Sequence, residues 1–268
     1  MNRRGFALIT VLWLTTVLAT AVGLGMAAQR TGNAASGNRL VLVRGRWAAE
    51  ACLAIAQARW SASRFTDTAT IDLGRETVCR WTADDPTARL NINMVDVAVL
   101  EKLQAVIGSR GSAPDSFVAG VVKHRQERPF EDLREVVDLL GSDSAVLSQL
   151  TVDGPGTVNL STAPPQILRT LPGLSAEAVE AIGQARALHR PVTSLDALAA
   201  SLSPGGRAAL LANYADLSRL VTFTSPVLRL TAEGWVTGIG GPEGLHATIE
   251  VLLVPLPDRL ATVRRRMW

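Results

Sequence analysis

The sequence is poor in several things, and each shortage excludes a class of protein. It has two cysteines, Cys52 and Cys79. That is too few for a disulfide scaffold, and their spacing is not that of a C-x-x-C metal or redox site. Charged residues make up 19% of the chain against 47% hydrophobic, which excludes a disordered chain. Glycine (22) and proline (13) are near ordinary usage, so collagen-like and low-complexity readings go too. Lysine is nearly missing. Lys102 and Lys123 are the whole supply, and the other basic residues are arginine. A net charge of +3 is too mild to imply nucleic acid. No nucleophile elbow, phosphate loop, HExxH or dinucleotide fingerprint occurs. His124, His189 and His246 lie far apart, with nothing ligand-like beside them. Nothing here argues for an enzyme.

What is present begins at the amino terminus. From Phe6 to Gln29 there are 24 residues without a charge. A helix of that length, at about 1.5 Å per residue, spans a hydrocarbon core of roughly 30 Å. Arg3 and Arg4 precede it and Arg30 follows. The run is longer than the apolar part of a secretory signal peptide, about 7–15 residues, so it reads as a transmembrane helix. Arg30, Arg39, Arg44 and Arg46 on the far side make the flanking charges a weak orientation signal. Beyond Arg30, the residues Leu40, Val43, Trp47, Cys52, Ile55, Ala56 and Trp60 recur mostly at three- to five-residue steps. That spacing predicts an amphipathic helix with these residues inward. Residues 6–63 therefore read as one long helix, half in lipid and half on a folded domain.

The middle of the chain repeats itself. Leu90-Asn91-Ile92-Asn93 matches Val158-Asn159-Leu160-Ser161, and Leu100 and Leu103 match Leu168 and Leu171. Arg128-Pro129-Phe130 with Leu133 matches Arg190-Pro191-Val192 with Leu195. Such internal similarity marks repeated structural units. Each copy reads as a short helix, a turn, a second helix, an Arg-Pro break and a third helix. The second copy resembles a helix-hairpin-helix unit around Leu171-Pro172-Gly173-Leu174-Ser175. Such hairpins often hold a DNA phosphate on backbone N–H groups. Here Glu177 and Glu180 follow where basic residues would help, and Asp115 follows the first hairpin. A structural helical hairpin is the preferred reading, and no nucleic acid is expected.

Strand patterns flank the repeats. Thr70–Leu73 and Thr77–Trp81 alternate around Gly74-Arg75-Glu76. The β pattern returns at Leu220–Phe223, Val227–Thr231 and Ala247–Val254. The economical model is an α+β domain with a helical domain inserted into it. Arg264-Arg265-Arg266 near the end reads as a solvated, frayed tail. Cys52 on the helix and Cys79 on a strand leave two states open. One is a bridge closing a loop of about 27 residues, worth about 3 kcal/mol in the chain-entropy account. The other is a pair of buried thiols.

The leader Arg3-Arg4-Gly5 followed by Phe6 and the long apolar run resembles the type IV prepilin and pseudopilin signal. That resemblance implies cleavage between Gly5 and Phe6 by a prepilin peptidase, followed by methylation of the new terminus. Counting from Phe6, the fifth position is Thr10, where the family's major members carry glutamate. The K class of minor pseudopilins of type II secretion (general secretion pathway protein K) characteristically lacks that glutamate. Arg44-Gly45-Arg46-Trp47-Ala48-Ala49-Glu50-Ala51 and the tandem helical repeat also resemble that class.

The resemblance implies an α+β fold. A pilin-like long amino-terminal helix packs on a small antiparallel sheet, with an inserted all-α domain of two helix-hairpin-helix-like (SAM-like) repeats. On this reading residues 1–5 are the leader, 6–29 the transmembrane helix, and 30–87 the spine helix and first strands. The helical insert is 88–215, with repeats about 89–140 and 157–198. The last strands are 216–256, and 257–268 is a basic tail. The implied role is a minor pseudopilin at the pseudopilus tip, initiating or capping assembly for protein export across the outer membrane. Implied partners are the I-type and J-type minor pseudopilins, other pseudopilins of the filament, the prepilin peptidase and the inner membrane. The amino terminus would be cytoplasmic and the rest periplasmic. Calcium is implied by the resemblance alone, and Asp132, Asp138, Asp143 and Asp153 are candidate oxygen donors. The alternative is a membrane-anchored, competence-type DNA receptor.

Overall fold

The computed structural model describes residues 3–268 apart from 64–67, 109–116, 141–143, 239–240, 242 and 258. Helix α1 runs over Arg3–Ser63, 61 residues without a break. From residue 11 to residue 40 every residue is exposed. The threonine hydroxyls there donate back into the helix, Thr16 to the Leu12 carbonyl at 2.8 Å and Thr20 to Thr16 at 2.8 Å. No polar group of these side chains then faces hydrocarbon unpaired.

The chain then forms β1 (Ala69–Gly74) and β2 (Thr77–Asp84), an antiparallel hairpin. Its turn holds Gly74, Arg75 and Glu76 all at positive φ. A helical insert follows. Its first part comprises β3 (Leu90–Asn91), α2 (Val97–Gly108), α3 (Phe117–Glu127), α4 (Arg134–Leu140), α5 (Ser144–Leu147) and β4 (Leu150–Thr151). Its second part comprises β5 (Val158–Asn159), α6 (Pro165–Leu168), α7 (Ala176–Ala187), α8 (Leu195–Ala200), α9 (Pro204–Ala212), α10 (Tyr214–Leu220) and β6 (Val221–Thr222). The chain returns to the sheet through β7 (Leu228–Val236), β8 (Ala247–Pro255) and β9 (Leu260–Met267). The sheet order is β1-β2-β7-β8-β9, antiparallel throughout. The insert therefore leaves and re-enters between two neighbouring strands, β2 and β7.

Each part of the insert is closed by its own short parallel ladder. β3 pairs with β4, and β5 pairs with β6. The structural copies thus extend to Thr151 and Thr222, past the ends of the sequence similarity. Their apolar residues form one continuous core, with Leu100, Leu103, Phe117, Val121 and Leu150 of the first part packed with Ile167, Ile182 and Leu210 of the second.

A second core lies between α1 and the sheet: Ala48, Ala49, Cys52, Leu53, Ala56 and Trp60 against Cys79, Trp81, Leu230, Ala232, Ile249 and Val251. The strands alternate, so Arg80, Arg229, Glu233 and Glu250 lie on the opposite face. Two sequence expectations change here. Leu40, Val43 and Trp47 are not inward. All three are exposed, Trp47 to 71%, and the buried stripe starts instead with Val41, Gly45, Ala48 and Ala49. The reason is proximity. α1 crosses β7 so closely that a Cβ on Gly45 would lie 2.6 Å from the Gly234 carbonyl oxygen. Only small side chains fit that crossing, and the large ones turn outward.

The expected frayed tail at 257–268 is also replaced, by strand β9 over Leu260–Met267 along the free edge of β8. Trp268 exchanges both backbone bonds with Thr248. The arginines that read as a solvated tail find carboxylates on three different elements, described next.

Candidate functional site: an anchor helix and an arginine–carboxylate junction

The first functional element is α1 itself. It is the one described helix long and apolar enough to cross a membrane, and its apolar stretch packs against nothing in the folded part. Leu12, Trp13, Leu14, Leu18, Leu24 and Met26 are all well exposed. A continuous apolar surface of this kind needs lipid or other apolar helices around it.

The second is the junction that holds the insert on the sheet. Asp153, just after β4, has a side chain only 3% exposed. It accepts from Arg264 of β9 at 2.5 and 2.8 Å and from Arg229 of β7 at 2.6 Å. Arg229 also reaches Asp84 at 3.3 Å and Glu250 at 3.9 Å, and Arg89 pairs with Asp84 at 2.6 Å. Burial by itself would raise the Asp153 carboxyl. The hydrogen bonds and charges of Arg264 and Arg229 outweigh it and hold the carboxyl below its ordinary range. Arg266 reaches Asp132 at 3.4 Å and the Glu131 carbonyl at 3.2 Å. Arg265 points to the other face of the sheet and pairs with Glu50 of α1. Strand β9 thus ties the spine helix to the insert.

A second link, in which one carboxylate accepts from neutral donors, joins the start of the insert to its second copy. Asp85 accepts from the Thr87 N–H at 2.9 Å, from Asn159 at 2.8 Å and from Thr162 at 2.6 Å. Asn159 also accepts from the Ser161 N–H at 2.9 Å. Asn91 does the same for Asn93 at 2.9 Å and donates to the Gly154 carbonyl at 2.7 Å. In each copy the asparagine sits in the parallel ladder, pins the turn that follows it, and reaches out to the junction.

The candidate residues fall as follows. Gly5, Phe6 and Thr10 lie in the first turns of α1, and their side chains are outside the described residues. Cys52 and Cys79 form a disulfide with Cα atoms 5.9 Å apart, stapling α1 to β2. The three described acidic candidates each have their own surroundings. Asp153 is engaged by two arginines, and Asp132 caps the Arg134 N–H and faces Arg266. Asp138 is exposed on α4, and Asp143 lies outside the described residues. No group of three or more His, Cys, Asp or Glu suited to a metal occurs among the described residues.

The hairpin at Pro172-Gly173 is turned inward. A Cβ on Gly173 would lie 2.8 Å from Asn213 and 3.2 Å from the Ala209 carbonyl oxygen. Glu177 is taken by Ser203, accepting from its N–H at 2.6 Å and its hydroxyl at 2.7 Å. Both observations fit a structural hairpin.

Sequence reasoning missed Asp85, Arg229 and the paired arginines Arg125 and Arg186. Arg125 donates to the Ile92 and Val95 carbonyls at 2.5 and 2.8 Å, and Arg186 to the Leu160 carbonyl at 2.5 Å. Their signal was available: an arginine three to four residues before each Arg-Pro break.

No protein-family model matches the chain, and no curated protein matches its sequence. Its structure does have a solved counterpart. A chain in the crystal structure of the GspK-GspI-GspJ complex from the enterotoxigenic Escherichia coli type 2 secretion system superposes with a TM-score of 0.55. The two are 14% identical, over 76% of this chain and 84% of that one. At that identity the likeness is one of fold, and this chain has the fold found in that secretion-system complex.

Proposed function

We propose that the chain is a minor pseudopilin of the K class. It is anchored once in the bacterial inner membrane with its folded part in the periplasm, and it joins I-type and J-type pseudopilins at the tip of a type II secretion pseudopilus. The observation that carries this reading is the fold shared with a chain of the GspK-GspI-GspJ complex over three quarters of the sequence. The exposed apolar length of α1 supports it, since that surface suits lipid first and neighbouring helices afterwards. Thr10, in place of an intramembrane carboxylate, suits a subunit with none above it to pair with. The chain works by binding and building. Its junction presents the helical insert rigidly on the anchor.

The deciding experiment is coexpression with a prepilin peptidase, followed by intact mass and amino-terminal sequencing. Loss of residues 1–5, with a methylated Phe6, supports the reading. An uncut chain beside a control prepilin that is cut overturns it. Copurification with I- and J-type partners then tests the K assignment, and recovery of the chain alone under conditions that assemble a known set counts against it.

A further inference from the structure

The two copies of the insert can be aligned more finely by burial than by sequence. Phe117, Val121 and Arg125 of α3 correspond to Ala178, Ile182 and Arg186 of α7. All four of the non-arginine residues are buried, and both arginines reach a carbonyl in the turn after their copy's first strand. Val136 of α4 corresponds to Leu198 of α8, both buried. His189, at φ 54°, is the extra residue of the second copy.

In that register the first copy fills the space between α3 and α4 with its own side chains. His124 stacks on Phe130 with ring centroids 4.0 Å apart. Glu135 lies 2.7 Å from Arg128 and 3.4 Å from His124. Leu139 closes on Gly120, where a Cβ would lie 3.2 Å from it.

The second copy keeps the frame and removes the filling. Ala185 stands for His124, Val192 for Phe130, Ala197 for Glu135 and Ser201 for Leu139. Arg190 stands for Arg128 and makes no ion pair among the described residues. What remains is an open groove of about 390 Å³ between α7 and α8, at the small end of ligand pockets. Leu188 stands at its rim, 69% exposed.

We propose that this groove is a docking socket for a segment of a partner protein that presents an aromatic side chain beside a carboxylate. The first copy shows which chemistry completes this frame: a ring against the break and a carboxylate on the arginine. The second copy lacks both and retains the complementary charge. A partner supplying them buries its ring against Ala181, Ala185 and Val192 and pairs its carboxylate with Arg190. The socket goes beyond the pseudopilin reading and does not need it.

The test uses the full chain in detergent micelles, with alanine methyls labelled for NMR, and three blocked dipeptides as probes. N-acetyl-Phe-Glu-amide shifts the methyls of Ala181, Ala185 and Ala197 saturably. N-acetyl-Ala-Glu-amide and N-acetyl-Phe-Lys-amide bind about fivefold or more weakly, the change expected for losing one exposed ion pair or the ring's burial. Arg190→Glu, on the surface, reverses the order of the Phe-Glu and Phe-Lys probes. Ala185→Phe fills the groove and abolishes the shifts while the rest of the spectrum is kept. Absence of a saturable shift at those methyls overturns the socket. So does equal binding of all three probes, or an Arg190→Glu variant with the original order. None of these outcomes involves a filament partner, so each leaves the assembly reading to its own test.

Discussion

Gly45 of α1 and Gly234 of β7 meet backbone to backbone. A Cβ on Gly45 would lie 2.6 Å from the Gly234 carbonyl oxygen, and one on Gly234 would run into the Ala49 amide nitrogen and the Gly45 carbonyl. Neither obstacle is a flexible side-chain end, so the helix itself must move. Gly234→Ala is therefore expected to destabilise the folded part by about 3 kcal/mol, the upper end for overpacking. Thermal unfolding in detergent measures it. Gly37→Ala, where nothing lies within 4 Å, is expected to be neutral or slightly stabilising through helix propensity.

Asp153 is the second point of failure. Removing it leaves Arg229 and Arg264 facing each other without their shared acceptor. Asp153→Ala is expected to cost about 3 kcal/mol, as for breaking a buried pair, and to lower the unfolding midpoint by roughly 10 °C. The Arg80–Glu233 pair, directly opposed on the sheet and 2.6 Å apart, is more exposed. Glu233→Gln is expected to cost less than about 1 kcal/mol. Equal effects would place the strength of the junction elsewhere.

The same carboxylate sets an acid limit. Its folded-state affinity for protons is depressed, so its contribution is complete above the ordinary carboxylate range and disappears as pH falls through the folded value. Glu135, bonded by the Glu131 N–H, and Glu177, bonded by the Ser203 N–H, are lowered as well. Stability is expected to be flat from pH 7 to about 5 and to fall below about pH 4. Asp153→Asn should shallow that fall without abolishing it, read as unfolding midpoint against pH.

Reduction of Cys52–Cys79 opens a crosslink spanning 27 residues. The chain-entropy account puts its contribution at about 3 kcal/mol. The Cys52→Ser, Cys79→Ser double variant is expected to unfold at lower temperature than the oxidised chain and to be insensitive to reductant. Non-reducing mass measurement checks the starting state: two free thiols in the native chain would contradict the bridge.

Much of this protein is legible from local patterns. The apolar length from Phe6, the strand alternation at Thr77–Trp81 and the paired asparagines of the repeat each depend on near neighbours. Such neighbours are already present in the sequence. The anchor, the α+β class and the duplicated insert follow from them. The buried face of α1 did not follow, because hydrophobicity pointed to Trp47 while the crossing with Gly234 admits only Gly45, Ala48 and Ala49. The end of the chain did not follow either. Arg264, Arg265 and Arg266 read as a solvated tail until β8 offers an edge and Asp153, Glu50 and Asp132 arrive from three distant elements. Residue type and spacing determine which elements form. Only the tertiary structure decides which charges meet, because a desolvated ion pair is set by distances of a few ångströms between residues more than a hundred positions apart.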